Sequence, residues 1–182
     1  IDYINIQSGG ISQSFGTLSE PRKYSAGLAS ATRGVFGGSD GTPSWATGTM
    51  EYVTIATTSN TTTFGNMTNT GGMVSACSNN TRGLFAGGLF PGSTAYNKIE
   101  YITIATIGNA IDFGNLTGDR NWLGACSDGT RGIWGGGGDS SSIGGGSGGG
   151  GGGDGDIIGY GGGGGGGGGY SSGSSGGGTH RS

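Results

Sequence analysis

The chain is poor in the groups that do chemistry. Its 182 residues include one His, two Cys and three Pro, and only 10% are charged. The lone His180 stands two residues from the end of a Gly- and Ser-rich stretch, a poor setting for a base or ligand. Carboxylates do not cluster either: Asp2, Glu51 and Glu100 occupy one recurring position, as structural residues at a strand edge or turn do. No catalytic residue, metal site or cofactor is expected, and the chain reads as a non-enzyme. Eight Lys plus Arg within a net charge of -3 form no basic stripe, which speaks against nucleic acid as a partner. No apolar run approaches the ~20 residues that cross a bilayer, so membrane insertion is not expected. The opening "IDYINIQ" is neither Met nor signal-like, as in a processed chain or a piece of a longer one.

What the sequence does have is repetition. "TRGVFGG" at Thr32 returns as "TRGLFAG" at Thr81 and "TRGIWGG" at Thr130, each 49 residues on. The same offset aligns Tyr3, Tyr52 and Tyr101, then Phe15, Phe64 and Phe113, then Arg33, Arg82 and Arg131, without a gap. Between residues 50–85 and 99–134, 17 of 36 positions are identical. A period near 50 residues points to repeated-sheet architectures such as propellers.

Each copy reads as four short strands. "MEYVTIATT" and "IEYITIATI" alternate Tyr, Ile and Thr at the period of a half-buried strand and lack a helical stripe. "TTTFGNMT", "VSACS" and "TRGLFAGG", with their copies 49 residues later, supply the other three, and "SNN" and "SDG" mark turns. The region 1–138 is therefore expected to be an all-β domain of three four-stranded repeats, followed by a glycine-rich segment, 139–182.

A double Gly closing an apolar strand (Gly37–Gly38, Gly87–Gly88), then a loop, an "EY" strand and an aromatic twelve residues later, resembles a kelch-type propeller blade. The wording "IEYITIATIGNAIDFGNLT" with "SDGTRGIWGGG" is similar to kelch-like repeats in virion structural and tail-fibre proteins of marine and cyanobacterial phages. The resemblance covers about three quarters of the chain and departs from kelch in carrying Phe where a blade usually has Trp. It implies a β-propeller fold and a virion or extracellular location. The copper chemistry known on some kelch propellers needs His ligands that the repeats lack, so a fragment of a secreted kelch-type enzyme is the least favoured reading. Three units fall short of the four to eight blades of closed propellers. Further repeats upstream of Ile1, assembly of chains, or a threefold closure as a β-prism or β-trefoil would each resolve this.

Several residues are candidates for specific roles. Arg33, Arg82 and Arg131 enter the strand before the double Gly, where a planar fork of donors reaches carbonyls or a carboxylate of the adjacent unit. The acidic residue before Tyr3, Tyr52 and Tyr101 is the natural partner. Cys77 and Cys126 share a position with Leu28, as at a small buried apolar site. A disulfide between them would need Cα atoms within ~7 Å. The loops 39–49 and 88–98 are equal in length and almost unrelated in content, as binding loops on a rigid scaffold are. Their aromatics, Trp45, Phe90 and Tyr96, either stack on sugars or anchor a protein contact, or pack over the sheet ends.

From Gly132 onward 29 of 51 residues are Gly, nine of them consecutive from Gly161. Gly- and Ser-rich chains default to flexible linkers. Here the runs are punctuated by Ile143, Ile157, Ile158, Tyr160 and Tyr170, unlike an inert spacer. Long Gly runs can form packed polyproline-II helices, and in composition the segment resembles the glycine-rich adhesin of T-even-type tail fibres. A calcium-binding nonapeptide, a dinucleotide fingerprint and collagen all fail on spacing or context.

The expected function is a phage tail-fibre or receptor-binding virion protein. Its expected partners are copies of itself (a homotrimer), other virion proteins, and a host surface polysaccharide or outer-membrane protein, with Trp45, Phe90, Tyr96, Tyr160 and Tyr170 as contact residues. The alternative is a fibre or sheath subunit without a ligand.

Overall fold

A computed structural model describes residues 1–39, 48–90 and 94–139. All of the regular structure among them is β. β1 (Asp2–Tyr3) pairs with β2 (Gln13–Ser14). β3 (Ala26–Ala29), β4 (Arg33–Gly37), β5 (Thr49–Thr54) and β6 (Thr62–Asn66) form an antiparallel sheet in that order. After β7 (Ser75–Ser78) and β8 (Arg82–Ala86), a small hairpin of β9 (Leu89–Phe90) and β10 (Thr94–Ala95) intervenes. β11 (Lys98–Thr103) and β12 (Ile111–Asn115) then complete a second sheet, β7-β8-β11-β12. β13 (Asn121–Ser127) and β14 (Gly132–Gly138) begin the pattern a third time.

The two complete sheets share one register. Val35 lies opposite Tyr52 and Phe36 opposite Glu51, as Leu84 lies opposite Tyr101 and Phe85 opposite Glu100. Both carry a bulge at the same place, between Met50 and Glu51 and between Ile99 and Glu100. An extra residue in one strand breaks the strict alternation of faces, and Met50 and Glu51, though consecutive, are both buried. The expected strand "MEYVTIATT" stops early, at Thr54, although its alternation runs on. The backbone there bends into a turn in which Thr57 N–H donates to the Thr54 carbonyl, repeated by Thr106 and Thr103.

Successive sheets stand side by side through β3, β7 and β13. Met73 N–H donates to the Tyr24 carbonyl and Trp122 N–H to the Met73 carbonyl, just before these strands begin. Toward their far ends the Ser78 hydroxyl donates to the Ala29 carbonyl at 2.7 Å. The core lies between the sheets, around Val35, Met50, Ala76, Phe85 and Ile104, each at most 1% exposed. Phe85 fills the space beside Gly37, where an added Cβ would come within 2.8 Å of its ring. Emptying such a site by Phe→Ala costs about 3–5 kcal/mol. Gly38 and Gly87 end β4 and β8 in the left-handed region, at φ 73° and 62°, and a Cβ on Gly38 would meet Val74 at 2.6 Å. The double glycine is thus where one unit approaches the next too closely for a side chain.

Candidate functional site

At the start of β3, β7 and β13 stand Tyr24, Met73 and Trp122, again 49 residues apart. All three have φ of 60°, a conformation that costs a bulky residue on the order of 1–3 kcal/mol. The strain is held by the surrounding structure, since Met73 N–H bonds the Tyr24 carbonyl and Trp122 N–H the Met73 carbonyl, which ties the three backbones in a row. Its effect is to bring residues 98 apart in sequence into contact: the Tyr24 and Trp122 rings pack edge to face, centres 5.3 Å apart at 71°. Tyr24 remains 41% exposed, and the Lys23 ammonium lies 5.4 Å from its ring centre. Exposed aromatic faces beside a cation can stack on sugar rings or clamp a side chain of a partner. Tyr24, Met73 and Trp122 are not among the site residues expected from the sequence. Their chemical identities differ, and only the shared offset and the constant bulk at one position signal them.

The arginines expected as keystones are joined to the units differently from the expectation. Arg33 lies over the Tyr52 ring, 4.6 Å from its centre, and donates to the carbonyls of Ile104 and Ala105 in the second sheet at 3.0 and 2.9 Å. Arg82 lies over Tyr101 at 4.9 Å, and Arg131 is exposed. The tyrosines are further fixed by edge-to-face contacts, Tyr3 on Phe15, Tyr52 on Phe64 and Tyr101 on Phe113. No arginine of this set pairs with the acid before the tyrosine among the described residues. Arg33 and Glu51 are on opposite faces of the sheet, because Arg33 lies in register with Thr54 and Glu51 with Phe36.

Glu51 is instead the centre of a buried network. Its carboxylate accepts from the Ser19 hydroxyl and N–H, the Thr61 hydroxyl at 2.7 Å and the Arg22 guanidinium at 2.9 Å. Burial by itself would raise its pKa, but the bonds from Ser19 and Thr61 and the Arg22 charge outweigh that and hold it below the ordinary value. Glu100 repeats the arrangement with Thr68, Asn69 and the Lys98 ammonium. Both networks tie a sheet to the segment that enters it, residues 19–22 before β3 and residues 68–69 before β7, a structural task.

Of the loop aromatics, Phe90 sits half-buried on β9, its ring centre 4.5 Å from that of Tyr96. Tyr96 is only 8% exposed, and its hydroxyl is buried against Gly88 without a hydrogen-bond partner among the described residues. Burial and the nearby Glu100 charge push that hydroxyl well above its ordinary pKa. Tyr96 therefore supports Phe90 from beneath and does not face solvent. Trp45, Tyr160, Tyr170 and the expected polyproline-II segment lie outside the described residues. Cys77 is fully buried and Cys126 half-buried, both as free thiols.

Among the described residues no three His, Cys, Asp or Glu side chains gather as a metal site would require. No protein-family model matches the chain, and no curated protein does.

Proposed function

We propose that this chain is an attachment protein of a virion fibre, binding a polysaccharide or outer-membrane protein of the host surface and performing no chemistry. The two four-stranded sheets, set side by side through β3 and β7, are read as adjacent blades of a kelch-like propeller. The observation that carries the functional reading is the Tyr24–Trp122 contact, where three repeats spend backbone strain at one place and leave an aromatic face open beside Lys23. Strain of that kind, clustered at equivalent positions, is more often found where a ligand is held than in an inert spacer. Phe90, with Tyr96 beneath it, offers a second and smaller aromatic surface.

The test is binding of the purified chain to a panel of bacterial surface polysaccharides and outer-membrane extracts. It is paired with immunogold microscopy of virions using antibody against residues 139–182. Specific binding that drops roughly tenfold or more in Trp122→Ala, with an unchanged circular dichroism spectrum, is the expected result. Gold at distal fibre ends would accord with it. Failure to bind any surface component, with gold spread along a filament or shell, would leave a structural subunit without a ligand.

A further inference from the structure

We infer that the two half-sheets complete each other between two copies of this chain, β1–β2 of one copy adding to the edge of β14 of the other that no described residue pairs. In the complete sheets the strand at the β14 position is paired on both sides: β4 lies between β3 and β5, and β8 between β7 and β11. Among the described residues β14 pairs only with β13, and β1 only with β2. By the 49-residue offset, β1 and β2 occupy the places of β5 and β6, so among the described residues they are the strands that match the places beside β14. The register carries over as Ile133 opposite Tyr3 and Trp134 opposite Asp2 of the second copy.

The side chains at both ends fit this pairing. Ile4 is 47% exposed where its equivalents Val53 and Ile102 are 6% and 2% exposed, and Ile133 is 60% exposed where Val35 is fully buried. Arg120 is the equivalent of Arg22, and Asp2 of Glu51. Arg22 and Glu51 form a buried ion pair at 2.9 Å, whereas Arg120 and Asp2 are exposed at opposite ends of the array. Arg120 lines an open groove of ≈ 680 Å³ beside Gly136 and Gly137 of β14, the place Asp2 of a second copy would enter. Arg131 would take its position over Tyr3, as Arg33 does over Tyr52.

Two glycine seats are also vacant. Gly65 of β6 is closed over by the Gly108 carbonyl of the next unit, while the equivalent Gly114 has no described residue within 4 Å and would receive Gly10 of the second copy. Gly83 is covered by Leu28, and Gly132 by Cys77, of the preceding unit. Among the described residues Gly34 has only Val53 and Ile55, on its own sheet's side, within 4 Å, and Cys126 of the second copy is the counterpart of Leu28 and Cys77 there. One contact does not carry over: Ile11 stands where Asn60 and Asn109 bond a neighbouring backbone N–H.

The contact is head to tail, so it must either close or polymerise. The described residues of this 182-residue stretch bring two complete sheets and the two halves of a third, so two copies of the stretch make six. That lies within the four to eight blades at which propellers close, whereas three copies would make nine. The stoichiometry of two rests on the propeller reading; the edge pairing rests on the repeat register alone.

The test is the solution mass of the whole 182-residue chain by light scattering, with Asp2→Arg, Arg120→Asp and the double reversal. A dimer is expected, with either single reversal weakening association by roughly a hundredfold and the double reversal restoring most of it. Both positions are exposed in the single chain, so circular dichroism should stay unchanged. A monomer at high concentration would overturn the pairing and leave β14 to be covered by the chain's own glycine segment. A dimer indifferent to both reversals would overturn the assigned interface, and a trimer or open polymer the six-sheet closure.

Discussion

The guanidinium of Arg33 lies over the Tyr52 ring at 4.6 Å and from there donates to two carbonyls of the second sheet, those of Ile104 and Ala105. One side chain thereby joins two β-sheets through a stacked face and a hydrogen-bonding edge. Arg33→Ala should lower stability by about 2 kcal/mol, from the loss of charged hydrogen bonds and the ring contact together. Arg33→Lys should recover only part, since an ammonium is not a planar fork. Urea denaturation checks this, and an unchanged midpoint in Arg33→Ala would refute the role.

Acid should loosen the joint between the segment after β2 and the first complete sheet. The folded Glu51 pKa is held below its ordinary value, while the unfolded carboxyl titrates near ~4.3. The stabilisation is therefore present above that pH and is lost as pH falls through the folded pKa. Stability measured from pH 7 down to pH 2 should fall less steeply in Glu51→Gln than in the wild type. Glu51→Ala, which leaves Arg22 buried without its counter-charge, should cost roughly 3–5 kcal/mol at neutral pH.

Cys77 should be inert in the folded protein. Burial, helped by the neighbouring Cys126, pushes its thiol up to about 12. At pH 8 on the order of one molecule in ten thousand would carry the reactive thiolate, before any steric protection. Iodoacetamide labelling followed by mass spectrometry should modify Cys77 only at the rate of unfolding. Rapid labelling without denaturant would contradict the burial.

Tyr96→Phe should be tolerated. The hydroxyl is buried without a hydrogen-bond partner among the described residues, a condition that costs about 1–3 kcal/mol. Removing it keeps the ring against Phe90 and should leave the melting temperature equal or higher. A clear loss of stability would show that the hydroxyl has a partner after all.

Much of the fold was legible because its determinants are local. Alternation of Tyr, Val and Thr across Glu51–Thr54 marks a strand whichever sheet it enters, and the 49-residue offset shows that whatever one copy does the next repeats. Strand ends were less legible. Alternation persists past Thr54, and the strand stops where the Thr57 N–H turns back to the Thr54 carbonyl, one residue before the last bond to β4's side, from Ile55 N–H to the Thr32 carbonyl. The β9–β10 hairpin was not foreseen, since its segment departs from the other copies.

By itself the sequence determined the all-β character, the repeat and its phase, and the small residues at close approaches such as Gly38, because each depends on a residue's own backbone preference or bulk. Only the tertiary structure decided the partners. Arg33 turns to Tyr52 and two carbonyls because the two faces of a pleated strand separate it from Glu51, and Arg22, 29 residues upstream, arrives there instead. Tyr24 and Trp122 meet because three strands stand side by side in space, a proximity that no spacing along the chain encodes.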